Sequence, residues 1–299
     1  MLFRSPHNIE VTLTDGRKAK GLILDAQRQD VIRDILGEAS KSDLRDLEKR
    51  LIHGDALQVL KDKTLFPERS IDCVLTDPPY SDEDYEPERE HTRVKHQAPA
   101  TTVEAAELAA SVARLLLDRK INRPRFCWIQ FCPLRKVHIF LPALLDAFKD
   151  AGSEPDYQVL VWDKGVPARV GGTDTFGSQA EAILYVNLGR PLPVEDANGS
   201  KIFSPIFKVQ QPKAGGGLDP WKPVKLLRQI LWLSMYGSDK SEAATKQRVL
   251  NPFAGRGSTG IAAMELGRAY TLIEIDEDQH KIAMANLLKA AKLQSKLLK

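Results

Sequence analysis

The chain has 299 residues, 42% of them hydrophobic and 28% charged. That is the balance of an ordinary globular protein with enough length for one or two full cores. A net charge of +3 and a pI near 8.6 permit a nucleic-acid partner without demanding one, since a strong electrostatic footprint would be more basic. The three cysteines, Cys73, Cys127 and Cys132, lack CxxC spacing and read as buried reduced thiols rather than a zinc site or a disulfide frame. No apolar run approaches the roughly 18 residues of a membrane span, and nothing at the start reads as a signal peptide. The expectation is a cytoplasmic protein with no membrane partner.

Residues 1–49 open with alternation at Ile9, Val11 and Leu13, then Asp15-Gly16, then Ala19, Leu22 and Leu24, which is a hairpin signal. Asp25–Leu36 and Ser42–Arg50 follow as short charged helices, with Ser40 or Ser42 as cap. No residue type here points to chemistry, so 1–49 reads as an appendage that packs, forms a homodimer or touches substrate, with packing the default. Residues 50–299 form the second unit.

That unit begins with a short strand, Leu51–His53, and a Gly54-Asp55 turn that leaves a carboxylate at its end. The helix Ala56–Lys61 leads to the strand Ile71–Thr76, whose apolar run stops at Asp77-Pro78-Pro79-Tyr80. Prolines cannot donate to a sheet ladder and hold φ near −65°, so the strand ends and the acid and phenol are displayed on a stiff turn. In an open α/β sheet this is the edge where ligands bind. A carboxylate and a proline carbonyl could accept the two N–H bonds of a flat amine while the ring stacks on its face; a solvated acid after a strand is the plain alternative.

Ser81–Thr102 is polar and long, either a lid or a mobile surface loop. Val103–Arg119 reads as a helix, Arg125–Phe131 as a strand, Val137–Ala151 as a helix closed by Gly152, and Tyr157–Trp162 and Ala180–Asn187 as strands. This alternation predicts a doubly wound, mostly parallel α/β sheet. Lys164–Gly177 is a glycine-rich loop carrying Lys164 and Arg169. Gly189–Gly217, with Pro191, Pro193, Pro205, Pro212 and three consecutive glycines, reads as an insertion rather than a sheet element. Its Lys201, Lys208 and Lys213 among Phe203 and Phe207 suit either nucleic acid or a solvated loop. Pro223 then starts a helix through Tyr236.

Arg248–Leu250 runs into Asn251-Pro-Phe253-Ala-Gly255-Arg-Gly257-Ser258-Thr259-Gly260, the helix Ser258–Leu266 and the strand Tyr270–Ile275. The three glycines satisfy GxGxxG, and Glu274 lies about 20 residues beyond Gly255, as in a dinucleotide or other adenosine site with a ribose-binding acid. Only one helix, Glu277–Leu298, remains after Glu274, which leaves no second half-site for a nicotinamide. The missing strand is at the other end of the chain, at Leu51–His53 with Asp55. Read as a circle, the strand order sets Arg248–Leu250 beside Ile71–Thr76, so that Asp77 and the Gly255 turn face one crevice, with Glu274 at a ribose and Asp55 near the adenine.

These residues resemble the S-adenosylmethionine-dependent amino-methyltransferases in which DPPY precedes FxGxG, chiefly DNA adenine-N6 enzymes with some cytosine-N4 enzymes. The resemblance runs from about Leu51 to Leu298 through GDALQVLK, SIDCVLTDPPY, VLVWDKG, KPVKLLRQIL, NPFAGRGSTG and LIEIDEDQHKIAMANL. It implies a Rossmann-like seven-stranded sheet with circularly permuted motif order. It also implies methyl transfer from S-adenosylmethionine to an exocyclic amino group of duplex DNA, adenine N6 ahead of cytosine N4, on a flipped-out base, as in restriction–modification. By position, Asp77, Pro78, Pro79 and Tyr80 would be catalytic. Phe253, Gly255 and Gly257 would form the cofactor turn, with Ser258 and Thr259 near the methionine carboxylate, Glu274 on the ribose and Lys222-Pro223 at the methionine end. Asn251 stands where the family often has an acid, and the 189–217 recognition segment is short. The alternatives are an RNA adenine-N6 methyltransferase, a catalytically silent DNA-binding subunit and a nicotinamide oxidoreductase.

Overall fold

The computed structural model describes residues 11–12, 18–19, 22–80, 99, 101–168, 178–189, 204–211, 222–235 and 246–297. The Asp15-Gly16 turn, nearly all of the Ser81–Thr102 loop, Arg169, Lys201, Phe203, Lys213, Gly215–Gly217 and Tyr236 lie outside the described residues.

The described strands are β1 (Val11–Thr12), β2 (Lys18–Ala19), β3 (Leu51–His53), β4 (Ile71–Thr76), β5 (Asn122–Pro133), β6 (Asp156–Ala168), β7 (Ser178–Leu188), β8 (Ile206–Lys208), β9 (Arg248–Asn251) and β10 (Ala269–Glu274). The helices are α1 (Leu22–Gly37), α2 (Lys41–Glu48), α3 (Ala56–Val59), α4 (Thr102–Asp118), α5 (Val137–Asp150), α6 (Val224–Ser234), α7 (Ser258–Glu265) and α8 (Glu277–Leu297). The short pair β1–β2 is antiparallel, with Val11 opposite Ala19.

Eight strands form one sheet in the order β3-β10-β9-β4-β5-β7-β6-β8. Strands β3 through β5 are all parallel, β7 runs antiparallel between β5 and β6, and β8 adds in parallel to β6. The Rossmann-like α/β expectation holds, and the rotated strand order places β9 beside β4, with Cys73 paired to Val249 and Val74 to Leu250. The expectation that 189–217 contributes no strand needs correction. Ile206–Lys208 pairs with Val161–Asp163, so the seven expected strands become eight. Phe207 turns inward and is buried, which is reason enough for so short a segment to stay on the edge.

Both faces of the sheet's centre are covered, so β4 and β5 are apolar on each side. Cys73, Leu75, Cys127, Ile129 and Phe131 face α6, α7 and α8 with Leu227, Ile230, Ala262 and Leu287. Ile71, Val74, Phe126, Trp128 and Cys132 face α4 and α5 with Ala106, Ala110, Ala113, Leu144 and Phe148. Helix α4 starts with a capping box: Glu104 N donates to Thr101 Oγ1 and Thr101 N donates to Glu104 Oε2. Ser40 caps α2 by accepting from Asp43 N. The first helices are packed: Ile32 meets Ile282 and Ala285 of α8, and Leu47 joins the main core.

The third glycine of the GxGxxG run is a packing residue. A Cβ at Gly260 would stand 2.7 Å from Leu272 and 2.8 Å from Leu287, so the missing side chain is what lets α7 lie close against β10 and α8. Replacing Gly260 with Val is expected to destabilise the protein by about 1–3 kcal/mol through overpacking, read as a lower urea midpoint with unchanged m-value.

Candidate active site

The candidate residues lie at the carboxyl ends of β3, β10, β9 and β4. Parallel pairing brings these ends to one edge, and side chains then tie them together. Thr76 Oγ1 donates to Asn251 Oδ1 at 2.9 Å, joining the last residues of β4 and β9. Asn251 Nδ2 donates to Thr259 Oγ1 at 2.9 Å, Phe253 N donates to Asn251 Oδ1 at 3.0 Å, and Thr259 Oγ1 lies 3.4 Å from Leu75 O. Asn251 and Thr259 are therefore buried clasps between two strands and a helix. Ser258, the first residue of α7, is half-buried.

The glycine turn follows at once. Gly255 and Gly257 have φ of +52° and +82°, a region that glycine enters without a Cβ penalty. A Cβ at Gly255 would meet nothing within 4 Å, whereas one at Gly257 would stand 3.3 Å from Ala283. The backbone at Gly255 thus borders open space. Gly255 N donates to Glu274 Oε2 at 2.6 Å, and Asp276 N donates to Glu274 Oε1 at 2.9 Å. Burial pushes the Glu274 carboxyl above its ordinary range, and these backbone donors oppose that rise. The carboxylate keeps acceptor capacity beyond these backbone donors. Asp55 caps α3, accepting from Gln58 N at 2.9 Å. Gly54 N donates to Glu274 O at 2.9 Å, so Asp55 sits one turn from the Glu274 strand end.

On the β4 side, Pro78 is buried and Pro79 half-buried. Tyr80 and Phe253 pack against the same apolar cluster. Tyr80 Oη donates to Asp77 Oδ1 at 2.7 Å and also lies 2.8 Å from Glu181 Oε1. Lys222 Nζ is 3.1 Å from Asp77 Oδ2 and pairs closely with Glu181 Oε1. Lys164 Nζ holds Glu181 Oε2 at 3.0 Å. Two acids and two lysines therefore form one neutral cluster around the Tyr80 hydroxyl. The Lys222 ammonium also lies 4.6 Å from the Phe131 ring centre and 5.5 Å from that of Trp162, where aromatic faces favour a cation. Lys222, expected with Pro223 at the methionine end, thus has its charge on the acid side; Pro223 is the N-cap of α6.

The two acids titrate in opposite directions. Burial raises the Asp77 carboxyl above its ordinary range; Lys222 opposes this and the Glu181 charge adds to it. Burial also pushes Glu181 upward, but Lys222 and Lys164 together outweigh it and hold Glu181 below the ordinary range. Burial and the two neighbouring acids push the Tyr80 phenol well up, so it remains a donor.

Glu181 and its pairing with Lys222 were not singled out from sequence. The signal was there: Glu181 is the only charged residue in the strand Ser178–Leu188, and an acid in the middle of an apolar strand needs a partner.

Residues 160–285 match the protein-family model described as DNA methylase. Two solved structures share the fold. The chain is 18% identical to M1.HpyAVI in its complex with SAM, covering 80% of this chain and 98% of that one at a TM-score of 0.54. It is 14% identical to PvuII DNA methyltransferase (cytosine-N4-specific), covering 83% and 92% at a TM-score of 0.55. No curated protein matches the sequence. The chain shares a Rossmann-like α/β fold with these structures.

Replacing Lys222 with Met would leave Asp77 and Glu181 facing each other without the cation between them. Both acids should then titrate at higher pH, visible as a higher midpoint in the pH titration of their carboxyl carbon resonances. At neutral pH the variant should lose about 3 kcal/mol of stability, as for a broken buried pair. The wild-type advantage comes from ionised acids, so it should shrink as pH falls toward the ordinary carboxylate range near about 4, read from urea melts at several pH values.

Proposed function

We propose that the chain transfers a methyl group from S-adenosylmethionine to the exocyclic amino group of a base in duplex DNA, adenine N6 ahead of cytosine N4. The observation that carries this is the Thr76–Asn251 clasp, which sets a proline corner bearing Asp77 and a glycine turn backed by Glu274 at one edge of the sheet. The match of residues 160–285 to the DNA methylase model supports the reaction class, and the M1.HpyAVI fold neighbour, solved with SAM, supports the cofactor.

In this reading the sulfonium supplies an activated methyl and its own leaving group. Glu274 holds the ribose hydroxyls, Asp55 lies toward the adenine, and Gly255, Gly257 and Phe253 let the cofactor lie against the backbone. Ser258 is the helix-terminal group toward the methionine carboxylate, with Asn251 and Thr259 fixing the turn from behind. Asp77 and the Pro78 carbonyl accept the two N–H bonds of the target amine, Pro79 stiffens the corner and Tyr80 stacks on the base.

An aromatic amine is a weak nucleophile because its lone pair is spread into the ring. Two acceptors on its hydrogens favour a pyramidal nitrogen aimed at the methyl. Positive charge then grows on nitrogen, so a fixed carboxylate stabilises the transition state more than the ground state. Asp77 need not be a strong base, because the methylated aminium is acidic enough to lose its proton afterwards. A paired base hides its amino group in the stack and has to be turned out to reach this corner.

Labelled-methyl transfer to duplexes offering adenine or cytosine amines, with RNA alongside, tests the reading; no transfer to any of them would overturn it. Asp77→Ala should lose about a hundredfold or more in rate while binding the cofactor nearly as well by calorimetry. Gly255→Asp, whose side chain would enter open space beside Glu274, should weaken cofactor binding by about a hundredfold, ~2.7 kcal/mol, together with a backbone cost of about 1–2 kcal/mol in stability for a side chain at positive φ.

A further inference from the structure

Both oxygens of the Asp77 carboxylate are already engaged from within the protein. Oδ1 accepts from Tyr80 and Oδ2 faces the Lys222 ammonium. An amine docking on Asp77, as the proposed function requires, would share these oxygens with both donors, and an ammonium left on Oδ2 would oppose the positive charge that grows on the amine. A buried ammonium or hydroxyl that loses its acceptor is costly. The same two donors, however, already reach one further atom, Glu181 Oε1. Glu181 itself is buried, and Lys164 steadies its other oxygen from β6.

We propose that Glu181 is a positioning residue: it is the alternative acceptor that takes over Lys222 and Tyr80 when the target amine docks on Asp77. The inference rests on the methyl-transfer reading. Lys222 fills the amine's place in the resting site, as a cation hydrogen-bonded to the same carboxylate oxygen. When an N–H of the substrate arrives at Oδ2, Lys222 withdraws onto Glu181 and keeps its contact with the Phe131 face. Tyr80 has one hydroxyl hydrogen, which can serve either acid. No proton leaves the cluster in this exchange; only hydrogen bonds change partners. Glu181 has a second effect. As positive charge grows on the attacking nitrogen, an ammonium nearby would oppose it, and pairing with Glu181 cancels that opposition. This explains why a second acid, on a strand far from the proline corner in sequence, stands within reach of both donors.

Among the described residues, the charged and titratable groups facing Asp77 are Tyr80 on its own turn, Cys132 on β5, Glu181 on β7 and Lys222 before α6, with Lys164 on β6 behind Glu181. Removing the Glu181 charge takes away a like charge and leaves Lys222 with Asp77 as its main acceptor. Both changes favour ionised Asp77, so the acid limb of the rate profile should move to lower pH. The rate itself should fall, because Lys222 then competes harder for the amine's place.

The test uses the full chain, tritiated S-adenosylmethionine and an unmethylated duplex containing both adenine and cytosine. Glu181→Gln is expected to bind the cofactor as wild type does, to lose about tenfold or more in kcat, and to shift its acid limb downward. The double variant Lys222→Met with Glu181→Gln removes the competing cation as well and should recover part of the lost rate. Glu181→Asp, which keeps an acceptor, should retain an acid limb close to wild type, and it serves as the readout if the Gln variant does not fold by thermal melting. Wild-type rates in Glu181→Gln, an unmoved acid limb, or a double variant no faster than the single one would each overturn the inference and leave the methyl-transfer reading standing. A wild-type protein that transfers no label to any duplex would instead overturn that reading, and this inference with it.

Discussion

The pairing of β4 with β9 is the constraint from which the rest of the site follows. At its carboxyl end a hydrogen bond from Thr76 to Asn251 joins residues 175 positions apart. Two turns of different chemistry are thereby brought to one edge. One is stiffened by prolines and carries an acid. The other is freed by glycines and presents bare backbone. Parallel strands make this geometry unavoidable, because neighbours that point the same way end at the same edge. The clasp then sets the depth of each turn. Asn251 accepts from Thr76 and from Phe253 N while it donates to Thr259, so strand, turn and helix cannot shift independently.

The electrostatics of the proline corner follow a second rule, that buried charge must be balanced locally. Asp77 and Glu181 would repel strongly if left alone. Lys222 and Lys164 neutralise them, and the aromatic faces of Phe131 and Trp162 hold the bridging ammonium in place. The outcome is asymmetric. Asp77 is the acid more readily protonated and Glu181 the one kept ionised, because two lysines attend Glu181 and only one attends Asp77. On the proposed reading this division of labour lets one carboxylate meet the substrate while the other keeps the counter-charge.

Much of this was legible in the residues themselves, for identifiable reasons. Ile71–Thr76 reads as a central strand because it is apolar on both faces and halted by two prolines. The rotated order is read from the short strand Leu51–His53 with its Asp55 turn, which supplies the neighbour that the Gly255–Glu274 unit pairs with. The glycine turn is local, so its spacing survives in one dimension. Pro223 shows the limit for boundaries: expected as the first helical residue, it is the cap, with Val224 first. The edge strand Ile206–Lys208 was missed because three residues among prolines carry no period of their own, and its place is set by β6. Glu181 was passed over for a related reason. Its meaning lies in partners drawn from three other segments, Asp77-Tyr80, Lys164 and Lys222, and no pattern along a single strand encodes a contact of that kind.

The rotated order also has a bearing on how the protein is made. β4 leaves the ribosome early, with an apolar edge whose eventual neighbour, β9, is translated only after residue 247. Until then β5, β6 and β7 can assemble on one side of β4 while the other side stays an open, sticky template for pairing. β3 waits longer still, since β10 is its neighbour in the sheet. Completion of the sheet therefore proceeds outward from β4 through β9 and β10 to β3, and a nascent chain stalled before β9 is made would be a natural client for a holding chaperone.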